Sequence, residues 1–150
     1  MFDADTDIHI YRLMTAWKDN NNIDFNFHDA HDLNNLKKTA SEEQIKRKLK
    51  ERLNNTKQAI LLVGENTKNL YKFVRWEIEV AMSMDIPIIA VNLCKSNSAT
   101  VRTPSILKNY AYFVSVPFDQ GKIKYALDNF PAEYHCKKSE APSERVYTWK

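Results

Sequence analysis

Four stretches of this sequence hold residue types that do chemistry, and the first turns on a single carboxylate. In "YKFVRWEIEVAMSMD", residues 71 to 85, Phe73, Glu77, Val80, Ala81 and Met84 recur at three- and four-residue intervals. Side chains so spaced share one face of an α-helix, which sets Glu77 in an apolar stripe. Glu79 falls elsewhere, with Arg75 and Ser83 as helical neighbours, and is expected to face solvent. An isolated buried carboxylate costs on the order of several kcal/mol, so it shifts its pKa or finds a partner. Two readings of Glu77 stand side by side. One is a structural ion pair or a carboxylate at the helix margin. The other is a site carboxylate, because perturbed acids gather where ligands need them.

The other three stretches have stronger ordinary readings. "HDAHD" offers His28, Asp29, His31 and Asp32, but the spacing matches no zinc signature and no cysteine accompanies it. A polar loop of N-capping residues is favoured, with ligand contact open because of where the loop lies. "FDADTD" puts three acids in five residues. They suit magnesium held with the help of a phosphate, or a helix N-terminus where negative charge is favoured. Cys94 beside Lys95 suggests a thiol of lowered pKa, yet no histidine partner is evident, and a buried structural cysteine is the preferred reading. No motif supports Ser/His/Asp catalysis, and no metal site is expected.

The bulk composition bounds what can position these groups. A chain of 150 residues, 43% hydrophobic and 11% aromatic, is expected to form one domain with a real core. The net charge of +3 is small and basic residues alternate with acidic ones, which argues against a nucleic-acid partner. Nothing resembles a signal peptide, and no apolar run reaches the roughly 18 residues of a membrane span. Two cysteines make no disulfide framework, so a cytoplasmic protein is expected. The only glycines are Gly64 and Gly121, which excludes a P-loop and the G-x-G-x-x-G phosphate cradle. A bound nucleotide must therefore place its phosphates on helix N-termini and side chains.

Ile10, Leu13, Met14 and Trp17 predict an amphipathic helix over residues 6 to 18, and "IDFNF" a short strand after it. "SEEQ", Ser41 to Gln44, is a capping box opening a helix to about Asn54, with Ile45, Leu49 and Leu53 inward. "QAILLV" is a continuous apolar run ending at Gly64, as in a strand buried on both faces. The Glu77 helix, a second buried strand "IPIIAVNL", a short helix from Pro104 to Tyr110, the strand "AYFVSV" and a helix from Asp119 to Phe130 follow. The division expected is one domain over residues 1–135 and a tail over 136–150. That tail reads as loosely ordered, although Val146, Tyr147 and Trp149 are able to pack back. Alternating strands and helices imply a parallel sheet covered on both faces. Ligands of such sheets bind at the carboxyl ends of the strands, where "FDAD", "HDAHD", "GENT" and "NLCKSN" fall.

Read in order, "FDADTDIHIYRLMTAW", "DFNFHDAHDL", "IKRKLKERLNNTK", "LLVGENT", "VRWEIEVA" and "PIIAVNL" resemble the bacterial TIR-like proteins found as the ThsB component of Thoeris antiphage defence. The resemblance spans roughly residues 2 to 115. It implies a flavodoxin-like (TIR-like) doubly wound α/β fold with helices on both faces. In catalytically active TIR domains a glutamate follows a tryptophan by four residues in the helix after the third strand; here Phe73 takes the tryptophan's place and Glu77 matches the glutamate. The resemblance further implies cleavage of the nicotinamide–ribose bond of NAD by Glu77, in a pocket walled by Phe2, Asp3, His28, Asp29, Gly64, Glu65, Asn66 and Phe73. Gly64 is expected to allow close backbone approach or a positive φ. The implied product is a cyclic ADP-ribose type signal read by a separate effector protein. A homo-oligomer and a phage-derived trigger belong to the same expectation; NAD is substrate rather than cofactor. The alternative is a non-catalytic TIR-like interaction or nucleotide-sensing module. Such proteins also place a buried strand before the segment matching "FDAD", where this sequence offers none. Residues upstream of Met1, the tail segment "ERVYTW" or a partner subunit are the expected ways to fill that slot, between "DFNF" and "AILLV".

Overall fold

The computed structural model describes residue 1, residues 9–10, 12–16, 41–65, 67 and 71–149, and of 71–73 the backbone alone. Residues 9–10 and 12–16 are helical and are termed α1. The elements after it are α2 (Glu42–Leu53), β1 (Ala59–Val63), α3 (Tyr71–Ser83), β2 (Ile88–Asn92), α4 (Ser105–Tyr110), β3 (Tyr112–Pro117), α5 (Gln120–Lys137) and β4 (Ser143–Val146). The strands form one sheet in the order β1-β2-β3-β4, all parallel, as the alternation of strands with helices predicts. The predicted "IDFNF" strand lies outside the described residues.

Each strand feeds two cores because successive side chains point to opposite faces. Leu62, Ile89, Val91, Tyr112, Val114 and Val116 face α5, whose Ile123, Ala126, Phe130 and Tyr134 cover them together with Met14 of α1. Leu61, Val63, Ile88, Ala90 and Phe113 face the other way, onto Val74, Ile78 and Ala81 of α3 and Leu107 of α4. Burial on both sides explains why β1 reads as an unbroken apolar run and why β2 and β3 are mostly apolar. α2 begins with the predicted capping box: the Gln44 N–H donates to Ser41 Oγ at 3.3 Å, and the Ser41 N–H donates to Gln44 Oε1 at 3.0 Å. Its Ile45 and Leu49 pack on Val80 of α3, not on the sheet.

Two expectations for the carboxyl-terminal part need correction. α5 does not stop at Phe130 but runs through Pro131 to Lys137. Proline removes one backbone donor, but Phe130 and Tyr134 are both anchored in the core on either side of it, and the helix continues. The tail is not loose: Ser143–Val146 pair with Tyr112–Ser115 of β3, and Tyr147 is buried. Its strand therefore sits at the sheet edge opposite β1. The segment "ERVYTW" does not fill the slot beside "AILLV", because the free edge of β3 takes it first.

Candidate functional site

α3 follows β1, so its first turns lie at the carboxyl end of that strand, and Glu77 is in the second turn. On the helical circle Val74, Ile78 and Ala81 meet the sheet, while Trp76, Val80 and Met84 meet α2. At about 3.6 residues per turn, Glu77 falls between those two arcs. The structure leaves it half-buried, flanked by apolar packing on both sides.

Glu79 departs from expectation. It is only 26% exposed at its side chain, and its two oxygens bind different helices. Oε1 accepts from Arg75 Nε at 2.8 Å within α3, and Oε2 accepts from Lys46 Nζ of α2. The Arg75 guanidinium, then the Lys46 ammonium, hold the Glu79 carboxyl below the usual carboxylate range. Lys46 is raised in turn, first by Glu79 and then by Glu42, which it meets at 2.9 Å. The face that looked wet in one helix is where α2 docks, and sequence spacing within α3 does not show that.

The carboxyl rim of the sheet is built from short polar turns. Gly64 is buried, and its N–H donates to Thr67 Oγ1 at 2.8 Å, while that hydroxyl donates to the Leu62 carbonyl at 3.2 Å. No glycine among the described residues has a positive φ, so the second half of the expectation for Gly64, a positive φ, is not met. Glu65 projects outward, and Arg102 Nη2 approaches its Oε1 at 3.8 Å. At the end of β2, Asn92 is fully buried and donates through Nδ2 to the carbonyls of Ser96 and Ser98, each at 2.9 Å. The Ala99 N–H donates to the Glu144 carboxylate of β4. The Thr100 N–H bonds Thr103 Oγ1 at 3.0 Å, so the loop from Leu93 to Pro104 is tied at several points. Lys95 in that loop has φ 65°, and Cys94 is exposed, not buried.

Of the sequence-predicted site residues, Gly64, Glu65 and Glu77 are placed at the carboxyl end of β1 or on the helix that leaves it. Phe2, Asp3, His28, Asp29 and Asn66 lie outside the described residues, as does the side chain of Phe73. Thr67, Asn92 and Arg102 were not singled out. The first two share the polar strand-end pattern of "GENT" and "NLCKSN", and Arg102 carries no local signal at all. No group of three or more His, Cys, Asp or Glu suited to a metal occurs among the described residues. Among them, too, no helix is long and apolar enough to cross a membrane. A cavity of about 130 Å³ opens at the opposite end of the sheet, beside Asp85, Tyr112, Tyr134 and Lys138.

The TIR-like domain of the Thoeris protein ThsB is the family whose model matches this chain, over residues 1–98. No curated protein matches it.

Proposed function

The chain belongs to the Thoeris ThsB TIR-like family, and from that premise we propose that it cleaves the nicotinamide–ribose bond of NAD at Glu77. The family places the protein in Thoeris antiphage defence. The observation that carries the proposal is the half-buried carboxylate between two apolar arcs, in the second turn of the helix leaving β1. Breaking the C1′–N bond sends its electron pair with neutral nicotinamide and leaves positive charge on the ribose ring. This resembles the oxocarbenium-like transition state of glycoside hydrolysis. A fixed anion near that charge, or gripping the ribose hydroxyls, stabilises the transition state more than the ground state. The leaving group is good, so no strong general acid is required. A nucleophile within the same ADP-ribose then captures C1′ and closes a cyclic signal, which a separate effector reads.

Phe2, Asp3, His28, Asp29, Gly64, Glu65, Asn66 and Phe73 are the proposed nucleotide walls, in a protein that works as a homo-oligomer under a phage-derived trigger. The test is nicotinamide release from NAD by purified protein, with and without phage lysate. Glu77→Gln keeps the shape and removes the charge, so turnover is expected to fall at least about 100-fold while the melting temperature stays put. Glu79→Gln is expected to turn over NAD as the wild type does. Turnover by Glu77→Gln equal to wild type would reject the assignment. NAD left intact in every condition would favour the interaction module.

A further inference from the structure

The turn between α3 and β2 holds a carboxylate in a backbone conformation that few side chains adopt. The Asp85 N–H donates to the Met82 carbonyl at 3.1 Å and the Ile86 N–H to the Ala81 carbonyl at 2.9 Å, the two bonds of a Schellman motif. That motif puts Asp85 in the left-handed region, at φ 53°. Glycine usually fills this position, and aspartate tolerates it less well. Side chains held so tend to gather at ligand sites. Here the Asp85 carboxylate is set on the lining of the cavity of about 130 Å³ at the amino end of the sheet. Lys138, the C-cap of α5, lines the same cavity and brings its Nζ to 3.2 Å from Asp85 Oδ2. The two side chains are 37% and 61% exposed for Lys138 and Asp85, so the pair stands at the mouth. The rest of the wall includes Met82, Ile86, Ile88, Ala111, Tyr112 and Tyr134. Burial raises the Tyr112 and Tyr134 hydroxyls above the usual tyrosine pKa, so both keep their protons. The Tyr112 hydroxyl is buried without a hydrogen-bond partner among the described residues.

The carboxyl ends of α3, α4 and α5 all contribute to this lining, and helix carboxyl ends carry partial negative charge. An anion alone is disfavoured there, because it would meet those ends and leave Asp85 without Lys138. A cation alone would take Asp85 and leave the Lys138 ammonium without its carboxylate. A molecule that carries both charges strands neither group, since one ion pair becomes two. The volume is close to the roughly 150 Å³ that admits benzene in a protein interior, which suits a short branched hydrocarbon behind the charged mouth. We propose that this cavity binds a small zwitterion of the amino-acid kind, with its ammonium on Asp85, its carboxylate on Lys138 and a short apolar side chain against Ile86, Ile88 and Ala111. The cavity lies at the opposite end of the sheet from Glu77 and is independent of the chemistry assigned there.

The experiment titrates the chain with L-valine, valinamide and isovalerate while backbone amide shifts are followed by NMR. Valinamide keeps the ammonium without the carboxylate, and isovalerate keeps the carboxylate without the ammonium. L-valine is expected to shift the amides of Asp85, Ile86, Tyr134 and Lys138 saturably, with a Kd of about 1 mM or lower. The two single-charge probes are expected to bind at least about tenfold more weakly. Asp85→Asn removes the charge with a side chain that suits the left-handed region. It should keep the spectrum of the folded chain and lose at least about tenfold in affinity for L-valine. Lys138→Gln, outside the strained turn, should lose as much. Shifts that fail to saturate with L-valine overturn the proposal. So does equal binding of either single-charge probe, wild-type affinity in either variant, or a saturable response confined to the carboxyl rim of the sheet.

Discussion

The two edges of the sheet are finished in opposite ways. β4 is four residues long, exposed or half-buried throughout, and charged at its centre. Both charges are used: Glu144 accepts from the Ala99 N–H, and Arg145 Nε meets Glu133 at 3.2 Å. Short, charged strands that resist further pairing are how proteins end a sheet. β1 is "AILLV", with no polar side chain, and its outer backbone is met by one residue and one hydroxyl among the described residues. By composition β4 is a terminus and β1 an interior strand, so the end of a sheet is written in side chains before it is seen in hydrogen bonds.

Removing the β4 edge is the harshest way to challenge that contrast. A chain ending at Lys138 loses Tyr147, which is 5% exposed, and Trp149, which packs beside it at 5.7 Å between ring centroids. It also bares β3, whose six residues are all buried. A loss of about 3–6 kcal/mol follows from two large side chains at about 1.5–3 kcal/mol each, read by urea denaturation, with self-association on a sizing column. A truncated chain as stable and monomeric as the full one would mean that β4 does not finish the sheet.

Glu144→Ala is a finer cut, since it leaves the strand but frees the Ala99 N–H. A hydrogen bond to a charged group is worth about 1.5–3 kcal/mol, and that loss should appear in the melting temperature. Faster exchange at Ala99, with Asn92 still holding Ser96 and Ser98, would locate the effect in the loop; unchanged exchange at Ala99 would show that the pin is idle. The smallest effect belongs to the β1 side, where α2 is held to α3 partly by Glu79. Its carboxyl is lowered in the folded protein by Arg75 and Lys46, so the stability it contributes is present above the ordinary glutamate pKa of about 4.3 and is lost as pH falls through the lower folded value. Glu79→Gln should cost about 1 kcal/mol or less at pH 7, and the gap from wild type should close below about pH 4. A gap that persists at pH 2 would point to packing instead of charge.

What the sequence disclosed follows the same division. Residues whose environment is set by their own neighbours were legible: Ser41 with Gln44 as a capping box, and Ile60 to Val63 and Ile88 to Val91 as buried strands. Residues set by distant partners were not. "SERV" has no strand pattern until β3 offers it an edge, and Glu79 looks solvated until Lys46 arrives from a helix 33 residues earlier. The last helix, expected to end at Phe130, runs on to Lys137 because the pull of Phe130 and Tyr134 into the core is a tertiary effect. The inner-facing position of Glu77 was legible in its spacing, whereas Arg102 meets Glu65 only through the path of a twelve-residue loop, from Leu93 to Pro104.

Strand order also sets a timetable. Because β1, β2, β3 and β4 are neighbours in the sheet in the order in which they occur in the chain, each closes against the strand made just before it. The loops closed are those of single crossovers, and closure entropy grows only slowly with their length. A chain emerging from the ribosome is therefore expected to build this sheet outward from β1 one strand at a time, although each parallel pairing must first close a crossover, which slows folding. The pairing of Met1 with Ile60 runs against that current. It spans 59 residues, and Met1 must wait for β1 before it has this partner.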